Sequence, residues 1–232
     1  MDSAIKLLDH GLIRLIDHMG GDQSIVRSAR VSYDAAWRAG EDEGSDAKLI
    51  NYMMSKKHTT PFEACSVTFE VKAPIFVFRQ WHRHRTQSYN ELSARFRPLP
   101  EEFYVPEPHL IGVQSKTDKQ QRDINGTADD SARRAAEIIR TQNAWAFETY
   151  RSLLASGVPR ELARSVLPCG TYSHMFCTMN LLNCMKFLQL RCDSHAQYEI
   201  RVYADAMLEL IRPLFPVTIA AFEKHVLKKE GV

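Results

Sequence analysis

The residues best suited to chemistry lie in one run, Arg83-His84-Arg85-Thr86-Gln87-Ser88-Tyr89-Asn90-Glu91-Leu92-Ser93-Ala94-Arg95. Guanidinium groups grip phosphate in bidentate fashion. A carboxylate set among them, Glu91, can hold a ribose hydroxyl or orient an arginine. So polar a stretch makes a poor core element, because each buried group needs its own partner. Two interpretations remain: a site for a phosphorylated, hydrogen-bonding ligand such as a nucleotide, or a solvated basic face.

A second polar constellation is Arg191-Cys192-Asp193-Ser194-His195-Ala196-Gln197. Arg191 closes the apolar stretch from Met185 to Leu190, which is interrupted only by Lys186 and Gln189. A buried arginine there needs a partner. Either it pairs with Asp193 or another carboxylate, or it reaches into a site. Asp193 also suits the N-cap of a following helix. Arg160 and Arg164 share a helical face, with Glu161 as the nearest structural partner.

Other chemistries find less support. No GxGxxG follows a strand and no GxxxxGK[ST] is present, so a dinucleotide would have to be held by arginine side chains rather than by a glycine-rich cradle. Cys169, in Leu167-Pro168-Cys169-Gly170, invites a nucleophilic role, but nothing marks its thiol as acidic. His58, His82 and His84 lack the carboxylate or cysteine set of a metal site, and no metal is expected. The five cysteines are odd in number without CxxC spacing, which predicts reduced thiols in a cytoplasmic protein.

The elements that must position these residues follow from periodicity. Helices are predicted over 22–37, with Asp22-Gln23-Ser24 as cap, and over 46–57. Val67, Phe69 and Val71 alternate with Thr68, Glu70 and Lys72, a strand with one buried face. Pro74 suits the first turn of a helix over 75–82 that leads into the arginine run. Residues 96–105 are extended, and 107–130 form a mobile surface excursion. A long helix over 131–156, a short one over 160–167, an extended segment over 171–178 and helices over 181–190 and 196–214 complete the chain. The fold class is α+β, long helices packed on a small, mostly antiparallel sheet, in one domain spanning 1–232.

At 232 residues, 44% hydrophobic and 25% charged, the composition is that of an ordinary globular chain. A formal net charge of +2 argues against a dedicated nucleic-acid binder. Charged residues interrupt the first twenty positions, which do not form a signal peptide, and no apolar run is long enough to span a bilayer.

Arg83-His84-Arg85, seven residues and then Ser93 resemble the signature of flavin-dependent thymidylate synthases. So do His58-x-Thr60-Pro61-Phe62-Glu63, Val71 to Val77, Arg79-Gln80-Trp81, Gly157-Val158-Pro159-Arg160 with Arg164 and Leu167-Pro168, and Arg191-x-Asp193-Ser194-His195-Ala196-Gln197. The resemblance covers the chain from about Asp22 to the last helix and is weakest over 112–130.

It implies reductive methylation of dUMP to dTMP, with 5,10-methylenetetrahydrofolate as carbon donor and NADPH as reductant through FAD. It also implies an α/β homotetramer with active sites shared between subunits. By position, Gln80, Trp81, His82, Arg83, Glu91, Leu92, Ser93, Ala94, Arg95, Arg164 and Arg191 correspond to dUMP contacts. Thr60, Arg83, His84, Arg85, Glu91, Asn180, Leu181, Leu182, Lys186 and His195 correspond to FAD contacts, with Ser32 a weaker candidate. His58 helps place the folate or the flavin. Arg191 and Ser93 join His58 as the catalytic candidates: Arg191 stabilises charge at the uracil edge, and Ser93 orients the ligand. No cysteine nucleophile is implied.

Two departures stand out. Many relatives carry arginine where this chain has Leu182, and asparagine or histidine where it has Lys186, whose charge can replace the missing one. Two alternatives are a dUMP-stimulated NADPH oxidase and an RNA-binding module built on Arg79, Arg83, Arg85, Arg95 and Arg97 with Trp81, Tyr89 and Phe96 as stacking surfaces.

Overall fold

The alternation from Val67 to Lys72 builds the centre of the molecule: Val67, Phe69 and Val71 face the core while Thr68 and Lys72 point away. The structure, a computed structural model, describes residues 4–126 and 129–228. Its main sheet contains β1 (Ile5–Leu7), β2 (Gly11–Met19), β3 (Ser66–Pro74), β4 (Ser88–Glu91) and, after a two-stranded ribbon of β5 (Val113–Gln114) and β6 (Arg122–Asp123), β7 (Tyr172–Asn180). Strand order is β1-β2-β3-β7-β4, with every pairing antiparallel. The helices are α1 (Asp22–Arg30), α2 (Glu43–Lys56), α3 (Ile75–Trp81), α4 (Asp129–Ala155), α5 (Arg160–Ala163), α6 (Leu181–Arg191), α7 (Tyr198–Ile211) and α8 (Pro216–Phe222).

The apolar face of the sheet, with Ile13, Phe69, Val71 and Cys177, packs against Leu181, Phe187 and Leu188 of α6 and Tyr203 and Met207 of α7 in one continuous core. A satellite cluster of Phe147, Tyr150 and Ala163 joins α4 to α5. Mixed helix and antiparallel sheet is thus the observed class. No helix among the described residues is long and apolar enough to cross a membrane.

The first predicted helix ends early, at Arg30, and short 3₁₀ turns follow with Asp34 at a φ of 52°. Val31, Tyr33 and Trp37 are exposed, so beyond Ile25 and Val26 there is no core for a longer helix to face. Gly21, not Asp22, occupies its N-cap. The Asp22 carboxylate instead accepts from the Val217 and Thr218 amides (2.8 and 3.0 Å) and satisfies the start of α8.

The β1–β2 hairpin and α8 were not legible from the sequence. Gly11 opens β2 because the sheet and α7 approach there: a Cβ at this position would stand 2.1 Å from the Tyr203 hydroxyl, which donates to Lys72 O at 2.7 Å. Within the expected surface excursion, β5 and β6 form a ribbon tied to the body. Gln121 Nε2 donates to Ser194 O (3.3 Å), and Arg122 pairs with the buried Glu199 (2.9 Å). Residues 127 and 128 of that excursion lie outside the described residues.

Candidate active site

Helix α3 carries the arginine run on a buried pedestal. Pro74 precedes it as N-cap, and Val77, Phe78 and Trp81 point into the core. Trp81 is fully buried, its ring 4.5 Å from that of Phe187, and its indole N–H donates to Gln87 Oε1 at 3.1 Å. The Trp81 side chain therefore cannot contact a nucleotide or stack on RNA. That removes Trp81 from the stacking surfaces of the RNA-binding alternative, because a ring packed on all sides offers a ligand only its main chain. Ala94 is buried likewise. Tyr89 closes the loop from below: its hydroxyl lies 2.8 Å from His84 O, with Trp81 O at 3.3 Å.

Above this floor Arg83 and Arg85 are exposed, and neither side chain has a hydrogen-bond or ion-pair partner among the described residues. Arg191, half-buried at the last turn of α6, meets His84, which lies between them in sequence, from another part of the chain. Its Nε donates to His84 Nε2 at 3.1 Å and its Nη2 to Gln80 O at 3.3 Å. No carboxylate among the described residues pairs with it. Asp193 is occupied locally, accepting from the His195 backbone N–H and contacting its Nδ1, both at 2.8 Å. Those contacts, the backbone bond foremost, hold the Asp193 carboxyl below its usual range. Asp193 therefore caps a turn rather than helix α7, whose N-cap is Gln197. Of the alternatives the sequence left open, pairing with a carboxylate is not what the described residues show: Arg191 turns to His84 and Gln80 O.

His84 accepts from Arg191 only as a neutral imidazole protonated at Nδ1. Burial, helped by the Arg191 charge, lowers its pKa from 6.5 to about 4. The unfolded chain binds this proton near the ordinary value and the folded chain only near 4. The contribution to stability is thus fully present above the ordinary value and is lost as pH falls toward 4. Urea unfolding at roughly pH 7.5 and pH 4.5 is expected to show a loss of stability in the parent that is smaller in His84→Gln. Equal losses in both would show that other groups carry the acid sensitivity. His82, stacked on Phe78, also has its pKa lowered by burial.

On the edge strand β4, Glu91 faces solvent, and one carboxylate oxygen accepts from Ser173 Oγ at 2.6 Å. Leu92 N donates to His174 O at 2.7 Å, carrying the ladder one residue further. Ser93 then starts a tight turn, its Oγ accepting from Arg95 N at 3.3 Å and its carbonyl from Phe96 N at 3.1 Å. Arg95 pairs with Glu161 at 3.3 Å across an open cavity of about 610 Å³ that Arg160, Pro159 and Phe96 also line. Arg164 Nε donates to Glu161 O at 3.3 Å. The Glu161 carboxylate therefore pairs with Arg95 and meets Arg164 only through its main-chain carbonyl.

The remaining candidates follow α6. Asn180 is its N-cap, accepting from Asn183 N at 2.8 Å. Leu181 and Leu182 bury their side chains, and Leu181 N donates to Cys65 O, so these two residues offer a ligand main-chain groups only. Asn183, Lys186 and Leu190 form the accessible stripe of the helix. The 3₁₀ turn Thr60–Ala64 packs against α6. His58, exposed just after α2, sets its ring edge-on to Tyr52 at 5.8 Å. Ser32, in the 3₁₀ turn after α1, and His195 are exposed. An α6 of 11 residues spans about 16 Å, so the Asn180 and Arg191 ends are well separated within one chain. Sequence inspection missed the supporting roles of Gln87 and Tyr89; an aromatic inside an otherwise polar run was the available signal.

Cys65, Cys177 and Cys184 are buried, and burial raises their thiols, Cys65 to about 11 and Cys177 to about 12. They are poor nucleophiles. Cys169 is exposed near the start of α3, at the end away from Arg83.

A sequence model of the family described as thymidylate synthase complementing protein matches residues 14–217. The chain belongs to this family. It is 44% identical over 226 residues to a flavin-dependent thymidylate synthase of Ehrlichia ruminantium (strain Gardel), covering 97% of this chain and 75% of that one. It is 44% identical over 232 residues to that of Treponema denticola, covering 100% and 85%. The crystal structure of a UMP/dUMP methylase, PolB from Streptomyces cacaoi, bound with 5-Br dUMP superposes with a TM-score of 0.85 at 39% identity, covering 96% of this chain and 98% of that one. The same methylase bound with 5-Br UMP gives 0.83 at 37% identity, with 93% and 95% covered. The thymidylate synthase complementing fold is thus the frame that brings Arg191 to His84 of the arginine run.

Proposed function

We propose that this chain is a flavin-dependent thymidylate synthase that methylates dUMP to dTMP, with 5,10-methylenetetrahydrofolate as carbon donor and NADPH as reductant through FAD. The observation that carries this is Arg191, held by His84 and Gln80 O without a carboxylate, beside the unpaired Arg83 and Arg85. The names of the relatives and the nucleotide bound to the solved neighbour support it.

The residues present suit an anionic dinucleotide. Arg83, Arg85 and Lys186 are accessible cations, and Thr60, Asn180, His84 and His195 offer polar groups along or beside α6. When bound, FAD supplies the hydride. The chain's own part is to bind and orient. Arg83, Arg95 and Arg164 hold the nucleotide phosphate, with Ser93 and the amides of its turn. Glu91, steadied by Ser173, takes a ribose hydroxyl. Arg191, already desolvated on one side, stabilises the negative charge that develops on the uracil carbonyl edge as C6 is reduced. Its remaining donors point at no carboxylate among the described residues, so their field is available to substrate. His58 helps place the folate or the flavin. None of these roles requires a cysteine.

A homotetramer with shared sites belongs to the proposal. Within one chain the expected flavin contacts lie at opposite ends of α6. Trp145, Leu162 and Ile138 also leave apolar surface exposed on and beside α4. Sedimentation of a monomer at micromolar concentration with ligands present would remove this part. One cytoplasmic catalytic domain over 1–232 is part of the same proposal, supported by a core that unites β1 with α8.

The test is anaerobic incubation of the protein and FAD with dUMP, methylenetetrahydrofolate and NADPH, with dTMP read by mass spectrometry. Product formation is expected. dUMP-dependent NADPH consumption in air without dTMP would replace the synthase with the oxidase. The solved neighbour was also bound with a UMP analogue, which favours a second possibility, that UMP is accepted beside dUMP. Running UMP in the same assay decides this.

A further inference from the structure

Glu199 is buried to 1% exposure at the start of α7, and three donors converge on it. Tyr104 Oη donates to its Oε1 at 3.0 Å, Arg122 Nη2 to Oε1 at 2.9 Å, and Gln197 Nε2 to Oε2 at 2.8 Å. Gln197 Oε1 in turn accepts from Gln80 Nε2. Gln80 is the α3 residue whose main-chain carbonyl accepts from Arg191. A continuous line of side chains therefore runs from the β6 ribbon, through α7, to Gln80 at the proposed nucleotide site.

This line has a direction. A carboxylate only accepts, so Gln197 must turn its NH₂ toward Glu199 and its carbonyl toward Gln80. Gln80 must then give an N–H to Gln197, which leaves its carbonyl oxygen and second N–H for a ligand. A lone glutamine at an open surface can rotate its amide and present either group. Here the buried carboxylate decides which.

We propose that Glu199 is a positioning residue that sets the polarity of the Gln197–Gln80 pair and thereby the hydrogen-bonding face that Gln80 presents to the nucleotide. The proposal rests on dUMP being the substrate. It predicts that Glu199→Gln is structurally mild yet functionally specific. The amide introduced by this substitution can still accept from Tyr104 and Arg122 through its carbonyl, and its NH₂ can donate to Gln197. Every bond remains satisfiable, but the chain runs backwards and Gln80 turns over.

The experiment is titration of the full chain with dUMP and, separately, with FAD, followed by calorimetry or fluorescence, with thermal melting in parallel. Glu199→Gln and Gln197→Met are each expected to weaken dUMP binding about tenfold, the equivalent of one hydrogen bond, with FAD affinity unchanged. The double variant should be no weaker than either single one, because both act through the same pair. A purely structural role predicts instead a lower melting temperature and equal losses for both ligands, and that outcome overturns the proposal. So does dUMP affinity equal to the parent's in both single variants. A parent that binds no dUMP would remove the synthase assignment itself, and the role of Glu199 with it.

Discussion

Replacing Arg191 with alanine is expected to lower dTMP formation by about 10²–10³-fold, the usual cost of removing one donor aimed at developing negative charge. The loss should fall mainly on kcat, because Arg83 and Arg95 still hold the phosphate end. Arg191→Lys should recover little. An ammonium on a flexible stem cannot donate to both His84 and Gln80 O while keeping a second edge for substrate. Burial of the guanidinium lowers its pKa, and the group keeps its charge in an environment that strengthens it electrostatically. Single-turnover measurement of dTMP decides this. An Arg191→Ala enzyme that keeps a tenth or more of the parent rate would mean that the charge is stabilised elsewhere.

The second large effect is on stability. Trp81→Ala is expected to cost about 3–5 kcal/mol and to lower the melting temperature by on the order of 10 °C. The mutation removes the ring that packs on Phe187 and Tyr203 and the indole donor to Gln87. It also removes the floor under Arg83 to Arg85, so dUMP affinity should fall alongside stability even though the side chain is fully buried. Trp81→Phe, which keeps most of the packing, should recover the larger part of both. Urea unfolding combined with dUMP titration tests this. A destabilised Trp81→Ala protein with parental dUMP affinity below its melting range would uncouple the pedestal from the site.

Much of the frame was readable from residue order. The β3 alternation and the positions of α3, α4, α6 and α7 appear where residue order puts them, because each pattern spans only a few turns or pleats; in α4, however, Ile138 and Trp145 are exposed and Ala136, Phe147 and Tyr150 take the buried face. The misses share a cause. The first helix was extended to Trp37 because its apolar spacing continues, but no neighbouring element covers those side chains. The β1–β2 hairpin was overlooked because charges interrupt it. Its β2 strand is stabilised by β3, far along the chain, rather than by its own propensity. β4 hid inside the polar run because an edge strand needs only one partner.

The residues by themselves determined the family, the cation-rich run, the absence of a glycine cradle and the improbability of a cysteine nucleophile. These depend on side-chain chemistry and local spacing. Only the tertiary structure decided that the side chains of Trp81, Leu181 and Leu182 are buried, so that any part they play in a site falls to their main chain. It alone showed that Arg191 turns to His84, 107 residues away, and not to Asp193 two residues on. It alone brought Arg122 to Glu199 across 77 residues and Gln80 to Gln197 across 117. Periodicity reports which face of an element is buried. It does not report which distant element will arrive there, because that is chosen by the packing of the whole core.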